Sequence, residues 1–439
     1  MCAAVYTAFM IALPEQFERV SLTALPLHER PGLLRALTEG EAARGLRPRP
    51  GVPLSAVAEA LPGTYGRIPW ARDGYYIDTA SRAGSHALHA AGAYYLQEPS
   101  AMAPAGLLDI KPGQRVLDLC AAPGGKSTQI GALLAGEGVL VANEIVPARA
   151  RVLSHNIERM GIVNAIAVNE PPERLASRWG AWFDRVLVDA PCSGEGMFRR
   201  EAEAISEWTP ESPKGCAARQ MKILVSAAKL LRPGGMLVYS TCTFNEIENE
   251  GVVASFLREH PAFALEETVR LWPHRARCEG QFAARLVKEG SPRALEACGD
   301  TVRLGGFLPA WDGMEVRGRY ARQGERHWSM PCVSPPLEGI RMLRTGLGLA
   351  WQRGKVCVPD HALALAFPPG EWPQSVAVDA EGAARYLRGE TMEACGAPDG
   401  WTVIAYRGLA LGWAKSVDGV LKNHLPKGLR RLTGLPRMV

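Results

Sequence analysis

The sequence predicts an α/β protein built on a largely parallel sheet with helices on both faces, and three observations carry that reading. Between Ala105 and about Lys288, apolar runs at 115–119, 138–142, 165–168, 184–188 and 236–239 alternate with helix-length amphipathic stretches. Strands alternating with helices imply crossover connections and parallel pairing. The first run opens into small residues, Cys120-Ala121-Ala122-Pro123-Gly124-Gly125, which suit a turn that a ligand approaches closely beside a helix N-terminus. The regions on either side lose this alternation.

Taken in order, residues 1–95 read as a mainly helical module that contacts RNA. Leu13 to Leu37 has helical spacing of apolar positions, and Pro48, Pro50, Pro53 and Pro62 mark loops. Residues 96–290 form the α/β core. Residues 291–334, rich in Gly, Pro and Arg with weak periodicity, read as a linker or irregular extension. Residues 335–439 read as a small β-rich domain, on short alternating runs such as Val356-Cys357-Val358 and Trp401 to Tyr406.

Composition narrows the function classes. Of 439 residues, 47% are hydrophobic and 22% charged, as expected of a soluble globular protein. No apolar run reaches the roughly 18 residues that a membrane span needs. The N-terminal stretch lacks a basic leader and runs into a helix start at Leu13-Pro14-Glu15-Gln16-Phe17, so no signal peptide is expected. Ten cysteines are scattered without C-x-x-C spacing, so neither a metal site nor a disulfide framework is expected, and a cytoplasmic location fits. The net charge is +5, and residues 401–439 hold that entire excess, with seven Lys or Arg against one acid, Asp418. Interleaved with Trp401, Tyr406, Trp413 and His424, that stretch is either a surface for a phosphate-rich partner or a solvated basic face.

The run 116–126 carries the first chemistry. Gly125-Lys126-Ser127 resembles the end of a phosphate-binding P-loop, but the position that needs the first glycine is Cys120, so the match fails. The second strand ends in Asn143-Glu144, and Glu144 falls 20 residues after Gly124. An acid at that distance binds ribose hydroxyls in doubly wound sheets. The geometry suits a dinucleotide or S-adenosylmethionine, and the absence of G-x-G-x-x-G favours the second.

Two cysteines carry the rest. Cys192 in Asp189-Ala190-Pro191-Cys192-Ser193-Gly194 and Cys242 in Ser240-Thr241-Cys242-Thr243 each follow an apolar run and sit among turn-forming residues. Such settings suit a reactive thiol, whereas the common fate of a free cysteine is a buried apolar position. Either thiol is a credible nucleophile on this evidence. Cys120 ends a strand and is expected to give the cofactor only its backbone.

The set Asp118 to Lys126, Glu144, Asp189 to Gly194 and Ser240 to Thr243 resembles the S-adenosylmethionine-dependent RNA cytosine-5 methyltransferases of the Sun class. Gln97 to Met102, Arg232-Pro233-Gly234-Gly235 and Glu279 to Leu286 are similar to other core segments of that class. Gly400-Trp401 through Leu421 to Arg430 resembles the PUA-like RNA-binding extension of its bacterial RsmF-type members, which act on 16S ribosomal RNA. The resemblance implies a Rossmann-like methyltransferase core with an N-terminal helical module and a C-terminal PUA-like domain. It implies that Cys120, Ala121, Ala122, Pro123, Gly124, Gly125, Lys126 and Glu144 hold S-adenosylmethionine, with Asp189 at the junction of cofactor and base. It favours Cys242 as nucleophile with Cys192 assisting release, and Lys126 orienting base or cofactor. A proline falls where the family has an acid after the third strand, in Asn169-Glu170-Pro171-Pro172, and Asn169, Glu170 or the backbone takes its place. The expected partner is 16S rRNA, free or within the small ribosomal subunit, bound by a monomer without a membrane or a metal. Transfer RNA, large-subunit RNA and a non-catalytic assembly role are the alternatives.

Overall fold

In the computed structural model, which describes residues 12–294, 299–394 and 396–430, the core is one eight-stranded sheet. Its strands are β1 (Arg115–Asp118), β2 (Val139–Asn143), β3 (Ala165–Val168), β4 (Phe183–Asp189), β5 (Leu231–Thr241), β6 (Phe263–Leu271), β7 (Gln281–Lys288) and β8 (Met342–Thr345). They lie in the order β6-β7-β5-β4-β1-β2-β3-β8. β1 to β5 are mutually parallel, and β6, β7 and β8 are antiparallel additions. The five parallel strands coincide with the five apolar runs. β2 and β3 are buried at every residue, as strands covered on both faces must be. One apolar cluster around Val141, Val186 and Phe282 and another around Leu140, Ile157 and Val238 fill the two faces.

Successive strands run outward from β1 in one direction as β2 and β3, and in the other as β4 and β5. The carboxyl ends on either side of that reversal leave the crevice in which open α/β sheets bind ligands. Helix α1 (Gly125–Leu134) follows β1, α2 (Pro147–Arg159) follows β2, and α3 (Ser212–Leu230) leads into β5.

The flanks depart from the sequence reading. The N-terminal helices at Phe17–Ser21, Arg30–Glu39 and Leu54–Ala60 are joined by a four-stranded antiparallel sheet, in which Gly45–Pro48 pairs with Tyr94–Gln97. Two of its strands have two residues each, too few to show an alternation. The segment 291–334 is not a linker: Thr301–Arg303 pairs with Glu315–Arg317, and Arg319–Gln323 forms a hairpin with Arg326–Met330. Its Arg and Gln side chains hide the alternation, and its core contribution is confined to residues such as Val302, Leu304, Trp311 and Val316.

The boundary placed at 335 also cuts through structure. β8 belongs to the core sheet, beside β3, while the 319–323 and 326–330 hairpin continues into Leu347–Arg353 and Val356–Pro359. A five-stranded sheet of residues 375–423 completes the chain. Leu349, Leu363, Val403 and Trp413 share one apolar cluster with Trp311. Truncation at Leu337 is therefore expected to expose a core and lower the melting temperature of what remains, instead of cleanly deleting an RNA-docking module. Differential scanning calorimetry of the truncated chain checks this.

No described helix is long and apolar enough to cross a membrane, and no cluster of metal-binding side chains occurs among the described residues. Cys332 is disulfide-bonded, where no disulfide framework was expected, whereas Cys120, Cys192, Cys216, Cys242, Cys278 and Cys357 are free.

Candidate active site

Strand register brings the two cysteines together. β4 and β5 are parallel neighbours with Asp189 opposite Ser240, so Pro191-Cys192 and Cys242 leave adjacent strand ends at the same level. Their sulfur atoms are 3.4 Å apart. The Gly196 N–H donates to the Cys242 carbonyl at 2.8 Å. A β-carbon at Gly196 would lie 2.7 Å from that oxygen, so only glycine allows the two loops to close. The hydrogen bond to Cys242 is the largest influence on Cys192, and with burial it raises the Cys192 thiol well above its ordinary range. Cys192 is thus protonated at neutral pH, and the two sulfurs share one hydrogen bond.

Two to three residues before the cysteines, Lys126 Nζ donates to Asp189 Oδ2 at 2.7 Å, and Ser240 Oγ donates to Asp189 Oδ1 at 2.7 Å. Gln281 Nε2 reaches the same Oδ1 at 3.4 Å. Burial alone would lower the lysine, but the charge and hydrogen bond of Asp189, with Cys242 nearby, raise it overall. Lys126 is a fixed ammonium beside the thiols.

The loop 120–126 is braced from outside. Arg149 donates to the Ala122 carbonyl at 3.0 Å, Asn156 to the Pro123 carbonyl at 2.8 Å, and Arg47 to the Gly125 carbonyl at 2.7 Å. Arg47 comes from the N-terminal sheet and is buried, which lowers its pKa to about 10. Gly124 has φ +114°, a conformation in which a side chain is strained. Burial drives the Cys120 thiol far up, in keeping with a backbone role for that residue. Glu144 accepts from the Val146 N–H at 2.9 Å and faces Arg149 at 3.6 Å. Next to it Ile145 is 57% exposed, an apolar surface at a strand end. A helix N-terminus, a carboxylate and an apolar flank around one crevice fit the carboxylate, ribose and adenine of S-adenosylmethionine.

Asp118, at the end of β1, is fully buried and accepts from Ser127 Oγ at 2.6 Å. Burial raises its pKa from 3.8 to about 7. A raised carboxyl contributes stability that is complete below pH ~4 and is lost as pH climbs through ~7. Asp118→Asn keeps the acceptor and removes the titration. Between pH 5 and 8 the melting temperature of this variant is expected to fall less than that of the wild type.

Other residues near the site and in the tail have different employment. Asn169 donates to the Glu144 carbonyl at 2.6 Å and the Ile145 carbonyl at 2.8 Å, while its oxygen accepts from Arg341 at 3.1 Å. It ties the ends of β2 and β3 together, so its amide is not free for a ligand. Glu170 accepts from the Arg341 N–H at 2.8 Å, so the approach to β8 covers both positions. Arg199 is a buried strut, paired with Glu279 at 2.7 Å and donating to the Cys278 carbonyl at 2.6 Å; Arg200 is exposed. Of the tail aromatics, Trp413 and Tyr406 are core, whereas Trp401 is partly exposed under Lys415. Arg431 and Arg437 lie outside the described residues.

Sequence reasoning missed two buried carboxylates that hold the cysteine loops. Glu195 accepts from the N–H groups of Phe244 (2.7 Å) and Asn245 (3.1 Å), from Asn245 Nδ2 (3.0 Å), and from Ser21 Oγ (2.6 Å). Glu248 returns the contact: it accepts from the Ser193 N–H at 3.0 Å, Asn245 Nδ2 at 2.8 Å and Gln220 Nε2 at 2.8 Å. Burial raises the Glu248 carboxyl, against those hydrogen bonds. The available signal was an acid three residues after Cys192 and another six after Cys242; their burial was not readable. Glu195→Ala strands two buried N–H groups, each costing about 1–3 kcal/mol. The variant is expected to lose on the order of 3 kcal/mol in urea unfolding and to lower kcat more than it alters cofactor affinity.

A parallel sheet with this strand order, a braced small-residue loop after β1 and an acid ending β2 defines a Rossmann-like methyltransferase. The profile of the 16S rRNA methyltransferase RsmB/F family matches residues 105–287, the RsmF N-terminal domain matches 13–99, and the RsmF PUA domain matches 373–431. Ribosomal RNA small subunit methyltransferase F of Klebsiella pneumoniae (strain 342) is 34% identical over 408 residues, covering 83% of this chain and 84% of that one. The protein of the same name from Escherichia coli (strain K12) is 33% identical over 404 residues, with the same shares. A methyltransferase homolog protein from Pyrococcus horikoshii superposes with TM-score 0.52 at 28% identity, over 59% of this chain and 90% of that one. The chain belongs to the 16S rRNA methyltransferase RsmB/F family.

Proposed function

We propose that this protein methylates carbon-5 of cytosine in 16S ribosomal RNA through a transient bond between Cys242 and carbon-6 of the base. The observation that carries the reading is the sulfur pair, 3.4 Å apart, on the same two strand ends as Asp189, the partner of Lys126. The names of the relatives support the RNA substrate.

Carbon-5 of cytosine is too poor a nucleophile to take a methyl group unaided. Cys242 gives its proton to solvent and adds as thiolate to carbon-6, since the thiolate is the reactive form. The Lys126–Asp189 pair faces the N3/N4 edge and passes a proton to N3 as negative charge develops there, making carbon-5 an enamine carbon. When bound along the 120–126 loop and Glu144, S-adenosylmethionine supplies the methyl group from its sulfonium. Once Cys242 is a thioether, Cys192 loses the neighbour that most raised it, gives its proton to solvent, and takes the proton from carbon-5. The Cys242–carbon-6 bond then breaks, N3 returns its proton, and the ring regains aromaticity. The base must leave its stack to present carbon-6. We place the enzyme in the cytoplasm, acting as a monomer on free RNA or on the small ribosomal subunit.

The test uses small subunits and 16S rRNA from cells lacking the protein, incubated with the full-length chain and methyl-labelled S-adenosylmethionine. Nucleoside mass spectrometry is expected to find the label in 5-methylcytidine. Label in any other nucleoside, or none, would overturn the reading.

A further inference from the structure

We infer that the seam between the sheet of residues 319–359 and the C-terminal sheet binds an unpaired RNA base by stacking. This extends the proposed activity and rests on its RNA substrate. A cavity of about 870 Å³ opens there; its lining falls between the family matches at 105–287 and 373–431 except for Trp401, which belongs to the second.

The register explains its floor. Along Arg319–Gln323, Tyr320 and Arg322 share a face, with Ser329 and His327 opposite them on the next strand. Tyr320 is 51% exposed, although its hydroxyl is 2.9 Å from His327 Nδ1. Burial lowers the imidazole pKa and Arg322 lowers it further, against a hydrogen bond with Gln352, so His327 is a neutral partner of the phenol. Phe307 stacks on His327 with centroids 4.9 Å apart at 18° and stands 6.0 Å from the Tyr320 ring. The rings form a platform already fixed in place, which spares the ordering cost of binding. Trp401 from the C-terminal sheet closes the far wall.

Charge identifies the occupant. Arg303 and Lys355 line the cavity and no Asp or Glu does. Arg303 shares Glu315 at 3.0 Å, whereas Lys355 and Arg322 make no ion pair among the described residues. Exposed aromatic faces beside cations that can meet phosphates are how single-stranded RNA is held. The polar wall is committed: the Cys357 thiol donates to Gln352 Oε1 at 3.0 Å, and Gln352 Nε2 donates to the Gly354 carbonyl at 2.7 Å. Stacking is thus expected to accept any base.

The test is fluorescence anisotropy of the full-length protein with a labelled, unstructured RNA dodecamer and with a duplex of the same length. Tyr320→Ala is expected to weaken dodecamer binding about tenfold, the scale of one lost stacking contact, and to leave duplex binding unchanged. Tyr320→Phe keeps the ring and should bind as the wild type does. Arg322→Ala with Lys355→Ala should flatten the salt dependence. These rim variants carry the test if Tyr320→Ala fails to fold by circular dichroism. Wild-type dodecamer affinity in Tyr320→Ala, an equal loss on duplex, or an unchanged salt slope in a folded rim variant would overturn the site. The methylation assay reads separately: loss of stacking without any 5-methylcytidine would sink the catalytic reading and keep this one.

Discussion

Replacing Cys242 by alanine is expected to abolish methyl transfer, by about 10⁴-fold or more, the scale on which removing a covalent nucleophile acts. The fold should survive, because the loop is held by its backbone: the Cys242 carbonyl accepts from Gly196, and Glu195 holds the two N–H groups that follow. Affinity for S-adenosylmethionine should persist as well, since the 120–126 loop is braced by Arg47, Arg149 and Asn156. Cys192→Ala is expected to stop turnover at a later step, with the base already bound to the enzyme. The two variants share a lost rate and differ in what accumulates. Titrated S-adenosylmethionine binding by calorimetry, together with single-turnover kinetics, separates them. Full activity in Cys242→Ala would refute covalent catalysis by that residue.

Asp189→Asn is expected to cost about 10²–10³ in kcat, within the range of general acid–base catalysis. Asparagine keeps the shape and the contact with Ser240 Oγ, which lies 2.7 Å away, but it removes the charge that holds Lys126. Burial then has less to oppose it and lowers the lysine. The wild-type lysine, raised above its ordinary value, keeps its proton until strongly alkaline pH. In the variant the alkaline limb of the kcat profile should therefore move to lower pH. Ser240→Ala leaves the ion pair intact and is expected to show neither the loss nor the shift. If Asp189→Asn lowered activity without moving the alkaline limb, Lys126 would not be the proton source.

Legibility in the sequence followed burial on both faces. β2 and β3 could be read because strands covered twice are nearly continuously apolar, as Ala165-Ile166-Ala167-Val168 is, and β1, β4 and β5 through shorter apolar stretches such as Val186-Leu187-Val188. The fold of 291–334 could not, because Arg319-Tyr320-Ala321-Arg322-Gln323 pairs through its backbone while its side chains are mostly exposed. At the site, each cysteine was visible as a thiol after a strand, but their contact depends on the register of Asp189 with Ser240, which no local pattern encodes. Glu195 and Glu248 carry no local sign of the burial that makes them struts. Asn169 was reasonably placed at the end of the third strand, yet its amide is consumed by the Glu144 and Ile145 carbonyls. Short-range chemistry was readable; partners distant in sequence were not.

Trapping the covalent species tests the thiol assignment most directly. Substrate RNA carrying 5-fluorocytidine at the target position, incubated with enzyme and S-adenosylmethionine, presents a carbon-5 whose fluorine cannot leave as a proton does. Wild-type protein and Cys192→Ala should both yield a denaturation-resistant adduct that peptide mass spectrometry maps to Cys242, and Cys242→Ala should yield none. An adduct mapped to Cys192, or methylation with no adduct in any of the three, would contradict the account.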